Sequence, residues 1–571
     1  MPGLAKSLFA LAALVGAVAT EQLPQIQVDI APLFNSSSLT YLNITLHIEG
    51  AKAKAKQGFL YFNERPDFTP EQRYDANSTN PLVASDDSGA ISVPYADQQY
   101  GTRVFVLGRD PVGPININFL AQPRDKVYGV AGRNDLRFDG GGAIGQGYAF
   151  LPIPLGDDKW NITINWDIPE TAPEGTRFSS SLADEHSGSA QGIPSQVLGS
   201  THISVGPVKR WPDWDKNSAL DGEDGRKFSI YWISDLPWDI EELGPKIKQY
   251  YTGTSKYFGD NVSDFRVFFR RDFEAFGGAG GYHSFILEFY DGSEVENTLH
   301  SVQNLLSHEI VHDFALMNPG PDYDKWYVEG IAEYLCSVAP YSSNELDRKT
   351  FIQWLNDNAQ DYYTASPVNR TWDSLITNYW TQGTAVVKAP YTRGFMYLAY
   401  TQGLIAAATK DEHSLDEIVL NLYKKYIAGE QVASKDYVNM LGNFIGQDAA
   451  NSSFTAMTNG TKLIPDANGF AKYGLKMVRR DLKKFQLGFT ESALSSSFPY
   501  GIQELVPGSR AEKAGLKKND KVLSAWYLWG ASDTYESKMR LVIRRDGEER
   551  TIEYWPRSDE LVEAYEWVEA N

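Results

Sequence analysis

A chain of 571 residues with a single cysteine, Cys336, cannot be stapled by an internal disulfide. Its stability has to come from packed cores, and the material is there: 42% of residues are hydrophobic and 13% aromatic, as in globular rather than disordered proteins. The length exceeds what one core can hold, so a multidomain protein is expected. The lone thiol also removes Cys-based zinc sites and iron–sulfur clusters, which need several thiolates, so a metal held here must use His and carboxylate ligands. A formal net charge of −20 leaves no excess of cations for a phosphate backbone, and no nucleic-acid partner is expected.

Residues 1–19 read as a signal peptide. Lys6 precedes an apolar run from Ser7 to Ala19, and Ala17-Val18-Ala19 supplies small residues for cleavage. The run is shorter than the ~20 apolar residues that span a bilayer, so a cleaved leader is expected rather than a membrane anchor, and with it a secreted, extracellular protein. N-x-S/T acceptor sites at Asn35, Asn43, Asn77, Asn161, Asn261, Asn369, Asn451 and Asn459 fit a secreted glycoprotein.

Along the chain the patterning changes three times. Residues 20–222 alternate or cluster β-formers between Gly, Pro and Asn signals, as in LTYLNITLHIEG and WNITINWDI, which predicts an all-β, sandwich-like domain. Residues 223–478 begin with strands and continue in long helical segments, an α+β unit. Residues 479–558 return to short strands around a helix, and 559–571 read as an acidic tail.

The chemistry concentrates in the second unit. VQNLLSHEIVHDFAL, residues 302–316, carries H-E-x-x-H, and on a helix that spacing puts His308 and His312 on one face, able to grip one Zn²⁺. Leu305, Leu306, Ile310 and Val311 make the helix largely buried, where two histidines and Glu309 are costly without a metal. WYVEGIAEYL follows, and its Glu329 is the natural third ligand. Two histidines and a carboxylate leave a fourth position for water, as a catalytic zinc requires. Glu309 is the expected general base. Glu333, one turn beyond Glu329, is either the partner for the spare N–H of His308 or His312 or an exposed helix charge.

HEIVH, WYVEGIAEY and YTRG together resemble the glycyl aminopeptidase family of gluzincin metallopeptidases. VPGSRAEKAGLKKNDKVLSAW, with Leu487-Gly488-Phe489, resembles a PDZ domain of the kind attached to bacterial proteases. The resemblance implies a thermolysin-like catalytic domain and one Zn²⁺ per chain on His308, His312 and Glu329. It also implies Glu309 in catalysis, Tyr391 as the donor to the oxyanion, and a peptide or protein substrate. In the third unit it implies a backbone loop at Leu487, Gly488 and Phe489 that holds the C-terminus of a peptide ligand.

The family's glutamate that grips a substrate amine lies on a Gly-rich strand, and here that strand reads GGAGGYHS, with Tyr282 at the glutamate position. A neutral phenol does not pair with an ammonium as a carboxylate does, so aminopeptidase and endopeptidase both remain open. Gly280 and Gly281 are expected to admit a substrate backbone to the strand edge, and His283 either contacts substrate or is structural. Two alternatives stand beside peptide cleavage: a zinc hydrolase of another substrate class, such as an epoxide hydrolase, and a catalytically idle binding protein with a structural zinc.

Overall fold

The computed structural model describes residues 23–63, 74, 81–98, 102–125, 135–156, 158–182, 186–220, 225–260, 263–272, 276–289, 299–314, 317, 324–494, 500–525 and 528–570. The leader (residues 1–19) and the acceptors Asn77 and Asn261 lie outside them. Among the described residues no helix is long and apolar enough to cross a membrane.

The first unit is β-rich, as its alternation predicts. Gln25–Asn35 and Ser38–Glu49 pair antiparallel with Ile26 opposite Ile48, Val28 opposite Leu46 and Ile30 opposite Ile44, so one face of each strand is buried and the other is not. These strands belong to a seven-stranded sheet, which shares one core with two four-stranded sheets. Asn35, Asn369, Asn451 and Asn459 are exposed. Asn43 and Asn161 are partly buried, and the Asn161 side chain accepts a hydrogen bond from the Gly192 N–H at 3.2 Å.

The second unit begins earlier than the sequence boundary at 223. Lys209–Trp211 already pairs with Phe228–Trp232, and Trp211 and Leu220 are buried in the core of the second unit. The sheet continues through Phe265–Arg271 and Ser284–Phe289, both parallel to Phe228–Trp232, and ends at the antiparallel edge strand Gly277–Gly281. Its central strands are buried throughout, which explains their unbroken apolar runs. Helices including Ile240–Phe258, Leu299–Val311, Lys325–Ser342, Arg348–Thr364 and Ala389–Thr409 pack around it.

The segment expected as a tail is instead mostly strand. Arg557–Glu569 pairs antiparallel with Leu475–Phe485, and Ala564 and Trp567 are buried in the core of the second unit. Acidic residues on the other positions hide this strand in a sequence reading. Between the two arms of that ribbon sits a small unit with its own core and a three-stranded sheet, Lys521–Ala525, Met539–Arg545 and Glu548–Tyr554.

The β unit and the sheet of the second unit are joined by buried polar contacts. Arg137 Nη1 donates to Asp272 Oδ2 at 2.6 Å, Arg270 Nη1 to the Ile144 carbonyl at 3.0 Å, and His202 Nδ1 lies 2.9 Å from Ser284 Oγ. Burial, with the Arg270 charge nearby, pushes the His202 imidazole down to about 3. The folded protein therefore excludes a proton that an unfolded histidine takes up below its ordinary value. This contribution to stability is complete above pH ~6.5 and is lost as pH falls toward 3. We expect His202→Gln to remove part of the acid-side loss, about 2 kcal/mol at pH ~4.5, in urea unfolding curves compared with pH ~7.5.

Candidate metal centre and catalytic cavity

The helix Leu299–Val311 buries Val302, Leu306 and Ile310 along one side, and this packing sets which way His308 points. Buried Ser307 donates to the Cys336 carbonyl at 2.7 Å and ties this helix to Lys325–Ser342, which carries Glu329. Cys336 is itself fully buried, and burial pushes its thiol well up, so it is an inert core residue here.

Lys325–Ser342 in turn lies against Ala389–Thr409, which carries Tyr391. Gly330 and Gly394 make that approach possible, because a methyl group on either would overlap backbone of the other helix. Both glycines are mid-helix, where a glycine costs stability unless a close contact needs it, and that was the sequence signal for this contact.

Three ligand atoms converge at the junction. His308 Nε2 and His312 Nε2 are 3.1 Å apart, and Glu329 Oε2 lies 3.5 Å from the first and 3.4 Å from the second. Ligands ~2.0–2.1 Å from one tetrahedral zinc lie about 3.3 Å from each other, so the spacing fits a shared ion. Glu329 Oε2 is buried and has no hydrogen-bond partner, which leaves it free to ligate. His308, His312 and Glu329 are the one group of ligand-type residues among the described residues with this closeness.

The surrounding charge points the same way. Burial would raise the Glu329 carboxyl, but the imidazoles of His308 and His312 hold it well below the usual carboxylate range. Burial opposes charge on His308, yet the carboxylates of Glu333, Glu329 and Glu309 draw its value well above the ordinary one. A cluster that so strongly favours positive charge fits a divalent cation. Glu333 Oε1 lies 3.0 Å from His308 Nδ1 and its Oε2 accepts from Asn358 Nδ2 at 2.8 Å, so this carboxylate fixes the ring that faces the ligand cluster. Asn358 carried no motif, and its place is set only by the packing of Arg348–Thr364.

A cavity of about 300 Å³ opens beside the cluster. His308, Glu309 and Tyr391 line it, with Trp354, Asp357 and Lys388 further along. The Tyr391 ring stacks on the His308 ring at 5.6 Å between centroids. The edge strand contributes Phe276, Gly277 and Gly278 to the wall, in place of the expected Gly280, Gly281, Tyr282 and His283. Gly280, Gly281 and Tyr282 turn toward the β unit: the Gly280 carbonyl accepts from Gln146 Nε2 at 2.9 Å, Gly281 lies against Ser200 and His202, and the Tyr282 N–H donates to the Ser200 carbonyl at 2.9 Å. Burial raises the Tyr282 phenol, which stays neutral. His283 Nδ1 is 2.8 Å from Asp313, the residue after His312.

Leu487 and Phe489 are largely buried in the third unit. The Leu487 carbonyl accepts from Tyr554 Oη at 2.7 Å, and the Gly488 carbonyl accepts from the Val506 N–H at 2.7 Å.

No protein-family model and no curated protein matches the chain by sequence. Its fold is similar to that of an aminopeptidase N family protein from Idiomarina loihiensis, with a TM-score of 0.64 at 13% identity over 96% of this chain and 98% of that one. It is also similar to an M1 zinc metallopeptidase from Deinococcus radiodurans bound to a Tyr-Ser-Ala substrate, with a TM-score of 0.50 at 13% identity over 78% of this chain and 95% of that one. At these identities the likeness is one of fold alone: the architecture is similar to that of these two proteins.

Two measurements test the centre. Dialysed wild type and Glu309→Gln should each retain zinc in elemental analysis, whereas His308→Ala and Glu329→Ala should lose it, since removing one of three protein ligands weakens the site far more than altering a residue beside it. Gly394→Ala should lower the urea unfolding free energy by at least about 2 kcal/mol, because the overlap is with backbone and cannot be relieved by a side-chain rotation.

Proposed function

We propose that the chain is a secreted zinc metallopeptidase of the gluzincin type, similar in organisation to glycyl aminopeptidases, with a PDZ-like unit between the arms of its C-terminal ribbon. The observation that carries this reading is the convergence of His308, His312 and Glu329 at tetrahedral-edge spacing on a cavity that also holds Glu309 and Tyr391. The fold similarity supports it, and the peptide bound by the Deinococcus radiodurans protein supports a peptide substrate class. The leader and the exposed acceptors Asn35, Asn369, Asn451 and Asn459 support secretion.

When bound, one zinc ion supplies Lewis acidity that acidifies water and polarises a carbonyl. Glu309 takes the proton from the attacking water and passes it to the leaving amine, so one carboxylate serves as base and then acid. Tyr391, stacked on His308 and fixed by the Gly330–Gly394 contact, donates its hydroxyl proton in a hydrogen bond to the developing oxyanion. Glu333 and Asn358 hold the His308 ring in place while this occurs. Tyr282 does not anchor the substrate amine, since its phenol is neutral and packs toward the β unit.

The test is digestion of peptides with free and with acetylated N-termini, read by mass spectrometry. Wild type should cut, Glu309→Gln should lose about 100-fold or more of kcat with zinc retained, and Tyr391→Phe should lose about 100-fold in kcat with little change in KM. Loss only on acetylated peptides identifies an aminopeptidase, and internal cuts an endopeptidase. A zinc-loaded wild type that cuts neither set overturns the peptidase reading and favours another hydrolase substrate.

A further inference from the structure

The third unit reaches the catalytic cavity. Gly530, in the short helix Leu528–Asp533, lines it together with Thr534 and Ser537 from the loop that follows, in the same cavity as His308 and Glu309. The helix is held from both sides. Buried Arg557 donates to the carbonyls of Ala531 and Ser532 at 3.5 and 3.3 Å, and Ser532 Oγ accepts from Lys388 Nζ at 2.6 Å. Lys388 is buried in an ion pair with Asp361 at 2.9 Å, and it stands three residues before Tyr391. A second anchor lies nearby, where Glu491 accepts from the Thr384 N–H at 3.0 Å.

The same contacts close off the loop that resembles a carboxylate receptor. Phe485, Leu487, Phe489 and Leu528 face Thr384 and Asp361 of the catalytic unit across a void of only about 170 Å³. A peptide C-terminus approaching Leu487–Phe489 from this side meets the chain's own residues.

We propose that the helix Leu528–Asp533 and its following loop are a fixed wall of the catalytic cavity, and that Gly530, Thr534 and Ser537 set the length of peptide it accepts. This rests on the peptidase reading above. The cavity is at the small end of ligand sites, ~300–1,000 Å³, so a wall residue that intrudes further has little spare volume to consume. Gly530 is suited to that role: a Cβ placed there meets no atom within 4 Å, so a substituted side chain starts from open space. The third unit in this arrangement shapes specificity in cis.

The experiment compares full-length wild type, Gly530→Ala and Gly530→Trp on alanine-based peptides of two, three and five residues. It is paired with calorimetric binding of uncleavable reduced-amide analogues of the same lengths. We expect Gly530→Trp to lower kcat/KM for the five-residue peptide by about tenfold or more relative to the two-residue peptide, through KM. Zinc content and thermal midpoint should be unchanged, and Gly530→Ala should show the same length dependence to a smaller degree. Thr534→Trp repeats the test from a second position and stands in if Gly530→Trp does not fold. Equal effects at every length, or no effect at any, overturn the proposal while leaving the peptidase reading intact. If wild type cuts no peptide, the peptidase reading fails. The analogues then decide the wall: length-selective loss of affinity in the tryptophan variants supports it, and its absence, or no binding to wild type, overturns it.

Discussion

The contact between Gly330 and Gly394 places two helix backbones directly against each other, and the candidate site depends on it. One helix carries Glu329 and Glu333, the other carries Tyr391 in its first turn, and no side chain separates them at the crossing. The Ser307 hydrogen bond to the Cys336 carbonyl sets the third partner, the helix of His308 and His312. Three helices fixed at such short range place ligand atoms with little freedom, which is what a small ion with defined coordination demands. The pairing of Glu333 with His308 and Asn358 then removes the remaining rotation of the ring.

The electrostatics follow from that geometry. Several carboxylates and two imidazoles share a largely buried pocket, and burying them without a cation is unfavourable. The same pocket opens on one side to a cavity, one wall of which belongs to the third unit. The buried Lys388–Asp361 pair stands at this boundary, so the segment that leads into Tyr391 also anchors the wall through Ser532. Catalytic helix, cavity and C-terminal unit are in this way built as one block. The strand Arg557–Glu569 fastens it from behind, with Trp567 against Phe395 and Phe470.

Much of this was legible in the residues, and the limits are instructive. H-E-x-x-H needs only the helical period to bring its histidines together, and their ring nitrogens are 3.1 Å apart. The β-rich first unit followed from alternation along strands such as Ser38–Glu49. The Gly-rich strand is expected to meet the site through Gly280 to His283, whereas Gly277 and Gly278 line the cavity, Gly280 to Tyr282 turn to the β unit and His283 pairs with Asp313. A strand edge has two ends, and composition does not say which end faces the site. The acidic C-terminal segment reads as a tail because its charges mask Ala564 and Trp567, which the fold buries.

What the sequence determined by itself are the features fixed by local period and chemistry: two histidines and a glutamate of metal-ligand type on two helices, a second glutamate between the histidines, and β units flanking an α+β core. What only the tertiary structure decided are the contacts between residues distant in the chain. These include Asn358 on Glu333, Ser307 on Cys336, Gly330 on Gly394, and Gly530 on the cavity wall. The physical reason is that periodicity reports which face of an element is apolar, but not which other element will cover it. That choice is made by shape and by the burial of polar groups across the whole fold.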